Sequence, residues 1–330
     1  MPETPDPRSI PIGVAGLGLM GTSISACLLA AGHPVIGVDP QVSQRSKAKK
    51  RVASLLRQMR EEHLLPQPVD HSIEQFRSTA EVSEFGDTKV VIESILEGQN
   101  EKRVLLDSIE QSVRSSVPIG CNTSAIPISI LQAEAKHPKR ILGIHWAEPA
   151  HTTRFLEVIC GKSTSPAIAR RIVALSRLWG KEPTIVRRDI RGFITNRCFY
   201  ALLREAFYLV ENGYATVADI DRSLRNDLGY WITFAGPFRF MDLTGIPAYA
   251  TVAADLFPEL SNSTGVPRGL QQMAQSGAQG VSNKRGFYRY RDGQAERWEK
   301  LFLDFSYRIR ALAQEYPEDI GDRPARSRKK

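Results

Sequence analysis

"IPIGVAGLGLMGTSISACLLAAGHPVIGVDP", residues 10–40, is the stretch from which the rest of the chain can be read. "IPIGVAG" is a short apolar run ending in glycine, the pattern of a buried parallel strand. "LMGTSISACLLAAG" follows with apolar residues at helical spacing (Met20, Ile24, Leu28, Ala31) and Gly32 where a left-handed C-cap would fall. "HPVIGVDP" returns to a strand pattern and ends on an acid. Strand, helix and strand within about 30 residues predict a βαβ unit with a right-handed crossover.

Inside this unit, "GLGLMG" places Gly16, Gly18 and Gly21 in G-x-G-x-x-G spacing. The first glycine permits a tight turn, the second lets backbone approach a pyrophosphate, and the third lets helix and strand pack closely. Leu19 and Met20 open the helix, whose free N–H groups would face the phosphates. Asp39 closes the second strand, where a carboxylate accepts from both ribose hydroxyls and repels a 2′-phosphate. A glycine triplet alone is weak. Between a strand and a helix, with a distal acid, it predicts dinucleotide binding, with NAD favoured over NADP.

The alternation continues beyond residue 40. A basic helical stretch spans about 41–62. "TKVVIESI", "VPIGCN", "RILGIH", "TRFLEVI" and "EPTIV" read as strands. "GQNEKRVLLDSIEQSV" reads as a helix with Val104, Leu105 and Ile109 on its inner side, and "SPAIARRIVALSRLWG" as another. After "RRDIRGF" strands nearly vanish. "ITNRCFYALLREAFYLVENG" predicts a long helix stopped by Gly213, and Thr216 with Asp219 forms a weak capping box for the next. A final helix near 295–315 carries Trp298, Leu301, Phe302, Phe305, Ile309 and Leu312 as one stripe, which must cover its own domain or a partner subunit. The expected fold is α/β: an N-terminal Rossmann-type doubly wound sheet over 10–188, with a basic helical arm at 41–62. A smaller all-helical domain over 189–316 follows, with disordered ends at 1–9 and 317–330.

Composition excludes several function classes. The 330 residues are 42% hydrophobic and carry a net charge of +8. No apolar run approaches the ~20 residues that span a bilayer. The acidic, proline-rich start is not a secretory signal, so the cytosol is the expected compartment. Cys27, Cys121, Cys160 and Cys198 are scattered among apolar neighbours, and the six histidines show no ligand spacing. Reduced thiols and no metal site are expected. Residues 45–60 hold seven Lys and Arg with no acid, by default a solvated helix face. No nucleic-acid module accompanies them, so the expected partner is a small molecule, with no nucleic acid and no membrane.

Several ordered motifs carry a family resemblance: "VAGLGLMG" with Asp39, "VIESILEGQNEKRVLLDSIE", "CNTSAIPISIL", "RILGIHWAEP", "FLEVI", "GFITNR", "AGPFRFMDLTG" and "KRGFYRY". In this order the chain resembles the L-3-hydroxyacyl-CoA dehydrogenase family. The resemblance implies that His145 is the catalytic base and Glu157, twelve residues on, its brace. It implies that Ser124 touches substrate and nicotinamide, and that Asn196 completes the substrate site from the second domain. Glu97 and Lys102 would lie near the nicotinamide ribose. Plainer readings stand beside these: Ser124 as a helix N-cap, Asn196 as an interdomain hydrogen bond. Three departures are visible. The family usually carries "HFFNP", and "HWAEP" puts Glu148 where an asparagine helps seat the cofactor. Val281 and Ser282 stand where many members have lysine before "GFY", and an acid, Glu61 or Glu62, falls where a CoA-facing lysine is expected. The resemblance further implies a homodimer formed through the helical domain.

The function expected is NAD-dependent oxidation of an (S)-3-hydroxyacyl-CoA to the 3-ketoacyl-CoA, as part of fatty acid metabolism. Two alternatives stand beside it. One is a dehydrogenase of a free hydroxy acid, such as L-gulonate or a carnitine-like substrate, as in the L-gulonate 3-dehydrogenase and lambda-crystallin branch. The other is a non-catalytic NAD-binding relative, which would bind NAD yet reduce nothing.

Overall fold

The computed structural model describes residues 6–316, in two compact units that part between Arg197 and Cys198. The first unit contains β1 (Ile12–Ala15), α1 (Leu19–Ala30), β2 (Val35–Val38), α2 (Val42–Glu61), α3 (Val69–Glu74) and β3 (Phe76–Thr79). It continues with β4 (Val90–Glu93), α4 (Gln99–Ser112), β5 (Ile119–Cys121), α5 (Ile128–Gln132), β6 (Ile141–Trp146), β7 (Phe155–Ile159), α6 (Pro166–Leu178) and β8 (Glu182–Val186). The strands form one sheet in the order β3-β2-β1-β4-β5-β6-β7-β8. Every neighbouring pair is parallel except β6 with β7. Because β1 lies between β2 and β4, the strand order reverses there, and in doubly wound sheets ligands bind at such a point in a crevice beyond the carboxyl ends of the strands.

The glycine turn obeys three different constraints. Gly16 has φ +97°, and a Cβ there would lie 2.4 Å from Ser94 O. A Cβ on Gly21 would lie 1.8 Å from Gly16 O, so helix and turn are in contact. A Cβ on Gly18 would meet nothing within 4 Å. Two of the glycines are therefore demanded by the protein, and the third leaves open space. Helix α1 is buried continuously from Gly21 to Leu29, which explains why its apolar residues form no single stripe. Gly32, at φ +91°, follows it as expected.

Helix α2 buries Ala48, Val52, Leu56 and Met59 and packs on α1, α3 and β3. It lies along the sheet as a crossover helix, and Lys47, Lys49, Lys50, Arg51, Arg57 and Arg60 are exposed. In α4 the buried positions are Lys102, Leu106, Ile109 and Glu110, while Val104 is exposed. The inner face is rotated from the one expected because two charged residues occupy it. Strand β3, "FRST", was not anticipated, since an edge strand of four residues with one buried side chain carries little pattern. Pro7–Ser9, expected to be disordered, form one 3-10 turn capped by Asp6. Residues 1–5 and the tail at 317–330 lie outside the described residues.

The second unit holds most of α7 (Thr195–Glu211), then α8 (Val217–Asn226), α9 (Leu228–Phe234), α10 (Gly236–Thr244), α11 (Ile246–Leu256), α12 (Arg268–Gln275) and α13 (Gln294–Glu315). The Thr216–Asp219 capping box is formed, and Gly213 ends α7 at φ +77°. Helices α7 to α12 contain no buried residue. In α13, Trp298, Leu301, Phe302, Phe305 and Leu312 remain about half exposed. Among the described residues no helix is long and apolar enough to cross a membrane, and no group of three His, Cys, Asp or Glu could hold a metal. Cys121, Cys160 and Cys198 are free thiols.

The turn makes a stability prediction. Gly21→Ala forces α1 away from Gly16 and should cost about 1–3 kcal/mol, the usual price of overpacking. Gly18→Ala should leave urea stability within about 0.5 kcal/mol of the parent, as surface substitutions do. Equal stability of the two variants in urea melts would contradict the packing described.

Candidate active site

Strands β6 and β7 run antiparallel, and their register sets His145 directly across from Glu157. Directly opposed side chains on one face of such a pair have Cβ atoms about 5 Å apart, within bonding reach. Here His145 Nδ1 lies 2.9 Å from Glu157 Oε2. The other carboxylate oxygen, Oε1, accepts from Ile194 N at 3.2 Å and Thr195 N at 3.1 Å. Both groups are buried. Burial pushes the Glu157 carboxyl up, but the bond from His145, the two backbone N–H groups and the imidazole charge outweigh it. The carboxyl is held below its ordinary range. An ionised Glu157 accepts a proton-bearing Nδ1, which leaves Nε2 as the nitrogen for proton exchange.

Two aromatic rings fix the imidazole from the sides. Phe155 meets it edge-on at 5.3 Å and Phe193 is tilted against it at 5.7 Å. Phe193 has φ +52° and follows Gly192 at φ +79°. A bulky residue in the left-handed region stores strain of order 1–3 kcal/mol, and the turn so made places one ring on His145 and two N–H groups on Glu157. Neither ring was singled out from the sequence, although "GFITNR" holds the signal: a glycine before a large residue at the head of a helix.

Ser124 is exposed on a turn after β5, and a carboxylate holds that turn. Glu97 Oε1 accepts from Thr123 Oγ1 at 2.5 Å, Ser124 N at 2.9 Å and Ala125 N at 3.1 Å. Asn196 Nδ2 donates to Ser124 O at 3.1 Å. Both backbone groups of Ser124 are thereby engaged, and its hydroxyl sits on a fixed support. Ser124 is not a helix cap, because α5 begins at Ile128 behind Pro127. Asn196 belongs to the first compact unit. Lys102 is wholly buried, 2.6 Å from Glu93 and 3.7 Å from Glu97. Burial raises the Glu93 carboxyl to about 7 against the lowering effect of Lys102. The lysine thus points at Glu93, a residue sequence reading passed over as part of an apolar strand.

At the other end of the crevice, α1 has no side chain capping its first turn. Its N–H groups, at Leu19 and Met20, lie beside the space left by Gly18. Asp39 Oδ2 accepts from Leu17 N at 2.9 Å and Oδ1 from Gln41 N at 2.9 Å. Each oxygen keeps a further lone pair for a ribose hydroxyl. Uncapped N–H groups, an open glycine and an oriented carboxylate fit NAD. Glu148 is exposed, and its bond to Pro149 is cis.

The chain as a whole is similar to known proteins. Residues 11–190 match the family described as 3-hydroxyacyl-CoA dehydrogenase, NAD binding domain, and 192–290 match its C-terminal domain. A 5-formyl-3-hydroxy-2-methylpyridine 4-carboxylate 5-dehydrogenase of Mesorhizobium japonicum is 31% identical over 298 residues, covering 88% of this chain and 95% of that protein. The crystal structure of a 5-dehydrogenase of that name, described as an NAD+ dependent dismutase, superposes with a TM-score of 0.87 at 28% identity, covering 93% of this chain and 99% of the other. The (S)-3-hydroxybutyryl-CoA dehydrogenase of Ralstonia eutropha gives a TM-score of 0.70 at 27% identity, covering 86% and 99%. With both halves of one family matched in order from residue 11 to residue 290, the chain belongs to the 3-hydroxyacyl-CoA dehydrogenase family and is an NAD-dependent oxidoreductase.

Proposed function

We propose that the chain oxidises the 3-hydroxyl of an (S)-3-hydroxyacyl-CoA to the ketone, with His145 as general base. The observation that carries the reading is the His145–Glu157 bond at 2.9 Å, which leaves Nε2 for the substrate. Bound NAD supplies the hydride acceptor. As the C–H pair leaves the carbinol carbon as hydride, the O–H bond breaks, the C=O bond forms, and the hydroxyl proton passes to His145 Nε2. Glu157, ionised and held by two backbone N–H groups, stabilises the imidazolium so formed. The Ser124 hydroxyl, on a backbone held by Glu97 and Asn196, orients the alcohol oxygen. Gly18, with the N–H groups of Leu19 and Met20, would hold the pyrophosphate over the turn that Gly16 and Gly21 permit, Asp39 would hold the adenosine ribose, and Glu97 and Glu148 would border the nicotinamide end, with Lys102 buried behind Glu97. The exposed cations of α2 match the phosphates of CoA.

A second reading has one specific support. Likeness to the pyridine-carboxylate dehydrogenase extends over 93% of the chain at a TM-score of 0.87, against 86% at 0.70 for the hydroxybutyryl-CoA enzyme. It favours a small free carboxylate bearing a hydroxyl or a hydrated aldehyde. Both readings use the same dyad, and they differ in salt dependence, since a polyanionic thioester on a basic helix loses affinity as ionic strength rises.

We also propose a cytosolic homodimer joined through the helical unit. Six helices without a buried residue have no interior of their own. Phe199, Tyr230, Phe234, Phe238, Phe257 and Trp298 all stand at least half exposed. Apolar surface on this scale marks an interface.

Three measurements follow. Initial rates of NADH oxidation with acetoacetyl-CoA should exceed those with free 3-keto acids. The KM for the thioester should rise steeply with salt, and His145→Gln should lower kcat about 10²–10⁴-fold with NAD affinity unchanged. Turnover of free acids alone would select the second reading, and a fully active His145→Gln would dismiss the dyad. Glu157 has a folded pKa below its unfolded value near ~4.3, so its contribution is complete at neutral pH and fades as pH falls through the folded value. Glu157→Gln should therefore cost about 1.5–3 kcal/mol in urea melts at pH 7, with the gap closing as pH falls below the ordinary carboxylate range. A gap that stays constant with pH counts against an ionised brace. Sedimentation should give a dimer at micromolar protein, and Phe238→Glu should shift it towards monomer; a monomeric parent removes the assembly proposed.

A further inference from the structure

Strand β5 ends at Cys121, but its neighbour β6 runs on through Ile144, His145 and Trp146. The ladder between them stops where Cys121 faces Gly143. On its other side β6 stays paired with β7 as far as Trp146 opposite Leu156. The segment carrying His145 is thus flanked by a strand on one side only, and N–H groups on the open side have lost their ladder acceptors.

Asn122, the first residue beyond β5, fills this gap with its side chain. Trp146 N donates to Asn122 Oδ1 at 3.1 Å. Chemistry fixes the amide's direction, because a backbone N–H only donates and the atom facing it must be the oxygen. Asn122 Nδ2 then donates to Ser94 Oγ at 3.3 Å. The backbone of Asn122 is gripped as well: its N donates to Glu93 O at 2.8 Å, and its O accepts from Lys102 Nζ at 3.1 Å. Four bonds tie one residue to the end of β4, the β4–α4 connection, α4 and β6. Two residues further on stands Ser124.

We propose that Asn122 is a positioning residue that sets the spacing between the Ser124 turn and the His145 strand, its Oδ1 replacing the missing ladder acceptor at Trp146. It acts through the backbone of β6 and does not touch substrate. Only the kinetic half of its test rests on the reading of His145 as base.

The test compares Asn122→Ala, which removes the acceptor, with Asn122→Asp, which keeps it. Amide hydrogen exchange at Trp146, followed by NMR without substrate, should accelerate about tenfold or more in N122A and change less than about threefold in N122D. With whichever keto substrate the parent reduces, N122A should lower kcat about 10–100-fold while the Kd for NAD moves less than about threefold; N122D should recover most of kcat. Parental Trp146 exchange in N122A overturns the proposal, as does a kcat loss that N122D shares in full. If N122A does not fold, N122D decides alone, and loss of Trp146 protection in it overturns the proposal. A parent that turns over no substrate defeats the functional reading yet leaves the exchange result standing. Unchanged exchange beside an active parent defeats only the role of Asn122.

Discussion

The antiparallel pairing of β6 with β7 is the constraint on which the site depends. In a sheet otherwise parallel, this one reversal brings two residues twelve apart in sequence face to face. A slip of one residue would turn Glu157 to the opposite face and leave the imidazole without its acceptor. The register is held from several sides. Glu157 is bonded to the backbone at 194 and 195, Phe155 and Phe193 wedge the ring, and Trp146 N is tied to Asn122. A proton-transfer group placed by strand pairing rests on the most rigid part of the fold, and its geometry owes little to side-chain freedom.

The buried charges around Ser124 follow a different logic. Lys102 and Glu93 are both fully buried, and a pair of this kind adds little net stability once desolvation is counted. Their value lies in direction. Lys102 reaches Glu93, Ile95 O and Asn122 O, so the connections after β4 and β5 share one donor. Glu97 then holds the Ser124 turn through three bonds from a single oxygen. Replacing such a network with apolar side chains could preserve the fold and lose the turn.

The sequence displayed the sheet and the nucleotide end well, for physical reasons. Buried parallel strands are apolar runs, and the G-x-G-x-x-G turn is demanded by lack of space, since a Cβ on Gly21 would fall 1.8 Å from Gly16 O, so both leave strong local traces. The pairing of His145 with Glu157 was legible only through family likeness, because nothing local announces that two strands will run antiparallel. Asn122, Glu93 and Phe155 were not legible, and Phe193 left only the glycine before it as a sign. Each looks like an ordinary strand-end or core residue until tertiary structure supplies its neighbour. β3 escaped because an edge strand of four mixed residues has no period, and the inner face of α4 was misjudged because buried charges break the apolar count.

The bonds of Asp39 have an implication for cofactor exchange. Its carboxylate is a structural clasp before any nucleotide arrives, joining Leu17 in the glycine turn to Gln41 at the head of α2. Swapping that side chain for an apolar one, a first step towards accepting a phosphorylated ribose, would also leave Leu17 N without its acceptor and the turn tied to the second strand through Gly16 N and Val38 O. Selectivity and scaffold are welded together at this position, so re-engineering the preference for NAD calls for a new acceptor for Leu17 as well as a new partner for the phosphate.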